Sequence, residues 1–233
     1  MKPILLVLIG LTMACGGGSQ ESGSVVPAAS TPAAPPAAER QLMPGLGHHH
    51  HPIATASPDA QKFFDQGFSF VYAFNHEEAV RSFQRAADLD PKAPMPHWGI
   101  AWAVGPNYNL DLDDPRAKQA FEAIQKAVAL VAGGPAHERE YVESMAGRYS
   151  PDPKADRTTL ARKYSKAMRD LTGRHPDDLD AATLYAESLM NLRPWKLWTL
   201  EGKPAVDTLE IVDRKSTRLN SSHIQKSRMP SSA

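Results

Sequence analysis

The sequence predicts an all-α protein, a solenoid of paired helices with a disordered N-terminal tether and a disordered C-terminal tail. Between Phe63 and Pro91, aromatic, glycine and alanine residues recur at the offsets expected of two antiparallel helices. Between Ala117 and Val128 the apolar residues follow a helical period. No segment alternates polar and apolar residues as a half-buried strand does. These observations together favour helices over strands throughout the middle of the chain.

The composition is that of a globular protein with atypical ends. The chain has 233 residues, 42% of them hydrophobic and 22% charged, with 26 Lys and Arg against 26 Asp and Glu. The single Cys excludes an internal disulfide framework and a Cys-rich zinc or iron–sulfur site. Without residues 1–14 and 213–233, 20 basic side chains remain against 25 acidic ones, a net charge of about −5. This acidic balance argues against a nucleic-acid partner.

The first 14 residues are typical of a secretory signal peptide. Lys2 precedes a short apolar run, residues 4–11, which is too short to span a bilayer. The run leads to Cys15, which lies between a small residue and a glycine and resembles the lipobox of bacterial lipoproteins. This resemblance implies that Cys15 is lipidated and that the protein is anchored in a Gram-negative outer membrane, facing the periplasm. The alternative is an ordinary secretory leader with an incidental Cys.

The stretch between the predicted anchor and the helical region is a linker by composition. Residues 15–40 are rich in Gly, Ser, Ala and Pro and have no apolar periodicity. Pro- and Ala-rich stretches act as semi-rigid spacers. We therefore expect a tether here, followed by a His-rich entry segment over residues 41–59.

The C-terminal stretch, residues 213–233, is rich in Ser and basic residues and has no helix or strand period. It matches an in-frame translation of a common short-read sequencing adapter, with residues 224–226 at the place of a sample index. The alternative is a natural basic, disordered tail. The stretch therefore predicts no element of the fold. We expect the native protein to continue past Val212, so that the helical domain, residues 60–212, is an incomplete fragment.

The first predicted helix pair carries a repeat signature at fixed offsets: Phe63, Gly67, Phe70, Ala79, Phe83, Ala86 and Pro91. This spacing resembles the tetratricopeptide-repeat pattern. Gly67 and Ala79 let two antiparallel helices approach closely, and the phenylalanines fill the seam between them. Pro91 ends the second helix because proline lacks the N–H that would continue it. Asn75, with Glu78 three residues later, resembles a capping box that starts that helix.

Further helices are predicted along the rest of the domain, with prolines near their starts and glycines near their ends. Their predicted ranges are 96–104, 114–132, 135–149, 152–172 and 180–191. Trp98 and Trp102 lie on one face of the first of these. Residues 105–109 interrupt the pattern as a loop.

Several short segments of this chain resemble segments that occur in the same order in a known group of proteins. They are GHHHHPIAT at 47–55, FDQG at 64–67, YAFNHEEA at 72–79, LDP at 89–91, WGIA at 98–101, GPNYN at 105–109, EREYV at 138–142 and LMNLRPW at 189–195. Through them, residues 46–212 resemble a bacterial family of secreted tetratricopeptide-repeat proteins. The resemblance implies a repeat solenoid that continues further, into His-containing segments. It implies no particular ligand or reaction.

The first functional hypothesis is an interaction scaffold, because repeat solenoids bind along their concave faces. A lipid-anchored scaffold of this kind would present that face to a periplasmic protein or peptide. The predicted contact residues are polar or aromatic positions near the groove or its loops: Gln66, Ser69, Asn75, Trp102, Asn107 and Asn109. The chain has neither a nucleophile elbow nor a phosphate-binding loop, which disfavours an enzyme, and no catalytic residue is predicted.

The second hypothesis is a His-dependent metal-binding protein, or a metal-dependent enzyme whose site needs the missing C-terminal half. Neutral imidazole is a good ligand for zinc or copper. The run at residues 48–51 would supply ligands, joined by two histidines of the helical region if the run folds back on the first repeat. The predicted ligands are His48, His49, His50, His51, His76 and His97. The helical zinc motif itself fails, because Val80 stands where its second His is required.

Overall fold

The computed structural model describes residues 41–214. The predicted signal peptide, Cys15, the tether and nearly all of the predicted tail lie outside the described residues. Within the described range the helices are α1 (Pro58–Tyr72), α2 (His76–Leu89), α3 (Met95–Val104), α4 (Asp114–Val131), α5 (Ala136–Ala146), α6 (Arg157–Arg174) and α7 (Leu179–Asn191). Residues 208–214 are also helical. The described part of the chain contains isolated β-bridges but no strand, which confirms the predicted all-α class.

Successive helices pack against one another, from α1 on α2 through to α6 on α7. In addition α3 packs on α1, and α5 packs on α3. The odd-numbered helices α1, α3 and α5 therefore form a row of their own, as alternate helices do in a helical repeat. No helix within residues 41–214 combines the length and the apolar character needed to cross a membrane.

The α1–α2 hairpin begins and turns where its capping residues predict. Ser57 accepts a hydrogen bond from the Ala60 amide at the start of α1. Asn75 does the same for the Glu78 amide at the start of α2. Side-chain oxygens at these positions satisfy amide donors that a helix start leaves unpaired. α2 ends at Leu89, just before Pro91, so the hairpin confirms the predicted helix pair.

The seam of this hairpin extends to the third helix. The Phe83 ring of α2 is fully buried and lies between Gly67 of α1 and Gly99 of α3. A Cβ built on Gly67 would come within 2.7 Å of the ring, and one built on Gly99 within 2.6 Å. Only hydrogen fits at both positions while the ring stays in place. The two glycines therefore let three helices close around one aromatic side chain.

Several of the later helices begin or end a few residues away from their predicted bounds. α6 starts at Arg157 because Asp156, not Asp152, caps it by accepting from the Thr158 amide. Residues 152–155 form a turn instead, in which the Ala155 amide donates to the Asp152 carbonyl over 3.1 Å. α6 also runs through Gly173, which has open space around it and does not end the helix.

The same kind of shift occurs at two other helix ends. α7 begins at Leu179, one residue before its predicted start, because Asp178 caps it by accepting from the Ala181 amide. α5 ends at Ala146, so Tyr149, predicted to be helical, lies beyond it. There the Tyr149 hydroxyl donates to the Ala101 carbonyl of α3 over 2.7 Å. Tyr149 is therefore positioned by this tertiary contact and not by helix α5.

Candidate functional site

The groove beside α1, α5 and α7 is filled by the chain itself. Because α1 begins at Pro58, the part of the predicted His-rich entry segment that precedes it is residues 41–57, and we call these residues the entry segment from here on. Side chains of α1 accept its backbone amides: the Met43 amide donates to Gln66 Oε1 over 2.7 Å, and the Ile53 amide to Gln61 Oε1 over 2.9 Å. The Ala54 amide donates to a carboxylate oxygen of Glu138 in α5. The helical domain thus holds a polypeptide segment without regular structure by its main chain.

The His51 side chain holds the entry segment against α7. Its side chain is almost wholly buried, with only 4% of the residue exposed. Its Nδ1 lies 2.9 Å from Asp180 Oδ2, and its ring stacks on Phe68 at a centroid distance of 5.0 Å. The Tyr72 hydroxyl donates to the other oxygen of Asp180 over 2.9 Å. One carboxylate of α7 therefore joins the entry segment to α1.

The other histidines of the predicted run differ in their contacts. His49 Nε2 lies 3.4 Å from Asp180 Oδ2, the oxygen that His51 contacts. His50 Nδ1 lies 2.8 Å from Asp65 Oδ2 of α1, and His48 is exposed. The run therefore faces two carboxylates, on α1 and α7, that no motif in the sequence pairs with it.

The two predicted ligands in the helical region have partners of another kind. His76 Nε2 lies 3.3 Å from the Asn107 side-chain amide. Burial lowers the pKa of His76, and burial together with the charge of Lys126 lowers that of His97. Within residues 41–214 no group of three or more His, Cys, Asp or Glu side chains is arranged to hold a metal ion. The six histidines are therefore spread over several environments, with His49 and His51 beside the same carboxylate, Asp180. The metal site stays a prediction.

A second carboxylate, half-buried and absent from the predicted sites, is that of Asp178, which precedes Asp180 by two residues. His137 Nε2 is 2.9 Å from Asp178 Oδ2, and the Tyr141 hydroxyl donates to the same oxygen over 2.7 Å. The hydrogen bond to Asp178 raises the pKa of His137. Burial alone would raise the pKa of Asp178, but the hydrogen bonds from His137, the Ala181 amide and Tyr141 hold it below its ordinary value. The contact therefore favours the charged forms of both groups, which make an ion pair when His137 is protonated.

This ion pair should make the stability of the domain fall as the pH rises above about 6.5. Because the folded-state pKa of His137 is raised, its contribution is complete below the unfolded value of 6.5 and is lost as the pH rises through the folded value. Urea unfolding of wild type and His137→Gln across this range measures it. His76 and His97 are common to both proteins and cancel in the difference. Equal pH slopes for the two proteins would contradict the assignment.

Two of the predicted partner contacts are buried. Gln66 donates from its side-chain amide to Ser82 Oγ of α2 over 3.0 Å while accepting from the entry segment. Trp102 is 2% exposed, and its indole N–H donates to Glu187 Oε2 of α7 over 3.1 Å. Both side chains therefore make contacts within the described chain, and their role in partner binding stays a prediction.

The remaining predicted contacts lie nearer to solvent. Asn75 is exposed but serves as the cap of α2, and Ser69 is half-buried in α1. Asn107 and Asn109 lie in the loop between α3 and α4, where Asn107 Oδ1 accepts from the Asn109 amide over 2.9 Å. Of this predicted set, Asn107 also lines a cavity.

This cavity, with a volume of about 790 Å³, lies between α4 and α6 and reaches the end of α7. Apolar side chains form much of its wall, among them Phe121 of α4, Leu160 of α6 and Leu192 after α7. α4 packs on α3 and α5, and α6 packs on α5 and α7. α4 and α6 do not pack closely on each other, and the cavity occupies the space between them.

Arg148, which follows α5, lines this cavity while being 5% exposed. Its Nη2 donates to the Pro106 carbonyl over 2.7 Å, and its guanidinium carbon lies 4.5 Å from the centre of the Tyr164 ring. Burial alone would lower its pKa, but Tyr149, Tyr164 and Glu187 together raise it, so the side chain stays charged. Within residues 41–214 its Nε and Nη1 have no hydrogen-bond partner, nor has the Tyr164 hydroxyl.

Four carboxylates and three cations line the cavity. At its exposed rim Arg157 pairs with Asp114, and Lys118 lies 3.9 Å from Glu122. The further exposed carboxylates of the lining are Asp111 and Asp152. The cavity thus combines a buried cation with a mouth of slight negative charge.

An exposed apolar surface lies beyond α7. We call residues 195–206 the apolar loop. Trp195 is 72% exposed, Trp198 is 52% exposed and Leu200 is fully exposed. The loop is held in shape by its own backbone, since the Ala205 amide donates to the Leu197 carbonyl over 2.9 Å. It presents large apolar side chains to solvent from an ordered backbone.

Comparisons of the chain with protein-family models, with curated proteins and with solved structures found no match. The resemblance to secreted tetratricopeptide-repeat proteins therefore stays an expectation drawn from the segments quoted above. The fold class rests on the helices themselves, and the candidate sites rest on their geometry.

Proposed function

We propose that the protein is a periplasmic scaffold that binds a protein partner through the apolar loop. The exposure of Trp195, Trp198 and Leu200 on an ordered loop carries this proposal. Large exposed apolar patches in soluble proteins mark interaction sites, and tryptophan is enriched among the residues that dominate binding energy. The proposal keeps the scaffold role expected of a helical repeat and places the contact surface on the apolar loop instead of the predicted groove.

The occupied groove supports this location. The entry segment already takes the side-chain acceptors that a partner segment would use there, including Gln66 and Glu138. His51 and Asp180 hold that segment in place. A partner therefore meets a surface outside the groove, and the apolar loop offers the largest exposed side chains of the described chain.

The anchor completes the proposal. The sequence around Cys15 supports lipidation and attachment to the outer membrane, and residues 15–40 supply a spacer of suitable composition. A tether of this kind would let the helical domain reach partners away from the membrane surface.

A photo-crosslinking residue at position 198 of the full chain, expressed in the periplasm, tests the proposal. We expect a discrete adduct from position 198 and none from position 163, an exposed lysine of α6 that serves as the matched control. The Leu200→Ala substitution should weaken the adduct from position 198, because it removes a neighbouring apolar contact. No adduct, or the same adducts from both positions, would overturn the proposal.

A further inference from the structure

We propose that the cavity between α4 and α6 is a binding site for a small amphipathic carboxylate, with its carboxylate on Arg148 and Tyr164 and its apolar body against Phe121 and Leu160. This site is separate from the apolar loop and adds a small-molecule ligand to the proposed scaffold role. Its volume of about 790 Å³ falls in the range of natural small-molecule sites, which combine apolar walls with a few polar groups.

The first support is the uncompensated charge of Arg148. A buried charge is costly unless it is paired and hydrogen-bonded. Within residues 41–214 no Asp or Glu forms an ion pair with Arg148, and its Nε and Nη1 lack acceptors. The carbonyl of Pro106, the hydroxyl of Tyr149 and the ring of Tyr164 satisfy only part of the guanidinium. The unpartnered atoms are shielded from solvent. We expect Arg148 and Tyr164 to turn toward an anion in the cavity, which would then supply the missing acceptor.

The second support is that Glu187, the carboxylate whose charge acts on Arg148, already has other hydrogen-bond partners. Glu187 contributes to the raised pKa of Arg148 through its charge. However, one of its oxygens accepts from Trp102 and the other from the Asn191 side chain. Glu187 therefore offsets the charge of Arg148 at a distance without taking up its free N–H groups.

The third support selects the kind of anion. Apolar walls require an apolar body, which excludes a bare inorganic ion as the fitting ligand. The exposed carboxylates of the lining that have no cation paired with them, Asp111 and Asp152, would repel a dianion more than a monoanion. A singly charged carboxylate also accepts from both an arginine N–H and a tyrosine O–H, the two donor types left free here.

Titration of the full chain with naphthylacetate and with its neutral amide tests the proposal by calorimetry. We expect wild type to bind the acid about 10- to 100-fold more tightly than the amide, the range of a hydrogen bond to a charged group. Arg148→Met should remove this preference. Ala161→Trp, which fills the cavity from α6, should abolish binding of both compounds, whereas Lys163→Met, on the exposed face of α6, should change nothing.

Several results would overturn the proposal. They are equal binding of acid and amide by wild type, an unchanged preference in folded Arg148→Met, tight binding of inorganic phosphate alone, or no binding at all. If Arg148→Met fails to fold by circular dichroism, the acid–amide comparison in wild type and the Ala161→Trp variant decide. Crosslinking from position 198 is independent of these titrations, so failure of the scaffold proposal is distinguishable from failure of this one.

Discussion

Replacing Phe83 with alanine should lower the free energy of unfolding of the helical domain by about 3–5 kcal/mol. The ring is fully buried where α1, α2 and α3 meet, and it contacts Gly67 and Gly99. Because neither glycine has a side chain that can move into the vacated space, the cavity should persist. Urea unfolding followed by far-ultraviolet circular dichroism measures the loss.

The two glycines supply a sharper test, because the sign of their effect should depend on Phe83. In wild type, Gly67→Ala or Gly99→Ala should cost about 1–3 kcal/mol through overpacking. In the Phe83→Ala background either substitution should be neutral or stabilising by up to about 1 kcal/mol, since alanine favours a helix. Gly173, also helical but with open space around it, is the matched control and should tolerate alanine in both backgrounds. Equal costs in both backgrounds would contradict the contact.

Replacing Asp180 with alanine should cost about 2–5 kcal/mol of unfolding free energy, because two hydrogen bonds to a buried carboxylate are lost. The substitution leaves the buried His51 and the Tyr72 hydroxyl without their acceptor. Asp170, an exposed carboxylate of α6 paired with Lys166, is the matched control. Asp170→Ala should cost no more than about 1 kcal/mol, as surface ion pairs do.

The coupling energy between Asp180 and His51 distinguishes the loss of their hydrogen bond from a general destabilisation of helix α7. In a double-mutant cycle with His51→Ala, the two substitutions should be non-additive by about 0.5–3 kcal/mol. Additive costs would show that the two side chains stabilise the domain independently, contrary to the hydrogen bond between them.

The parts of the fold that the sequence predicts are those specified by local signals. The α1–α2 hairpin follows from the spacing of Gly67 and Phe83 and from the cap at Asn75, all within one short stretch of chain. Helix ends are less sharply specified where two aspartates adjoin, as at Asp177 and Asp178, because either side chain could cap the helix. There the tertiary contacts of Asp178 with His137 and Tyr141 accompany the cap that forms.

The sites could not be predicted in the same way, because they depend on contacts distant in sequence. His51 and Asp180 are separated by 129 positions, and nothing periodic connects them. Arg148 follows a helix end and resembles any surface arginine until the packing around it is known. For Gln66 a signal existed: it occupies a repeat position that normally holds leucine, which indicates burial and not a partner contact.

Residue-level hydrogen exchange of the entry segment tests most directly whether the domain fills its own groove. The amides of His51, Ile53 and Ala54 donate to side chains of Asp65, Gln61 and Glu138. They should therefore exchange far more slowly than an unstructured peptide, and Asp180→Ala should speed their exchange. Exchange of these amides at the rate of an unstructured peptide in wild type would show that the groove is open and would return it to consideration as the partner surface.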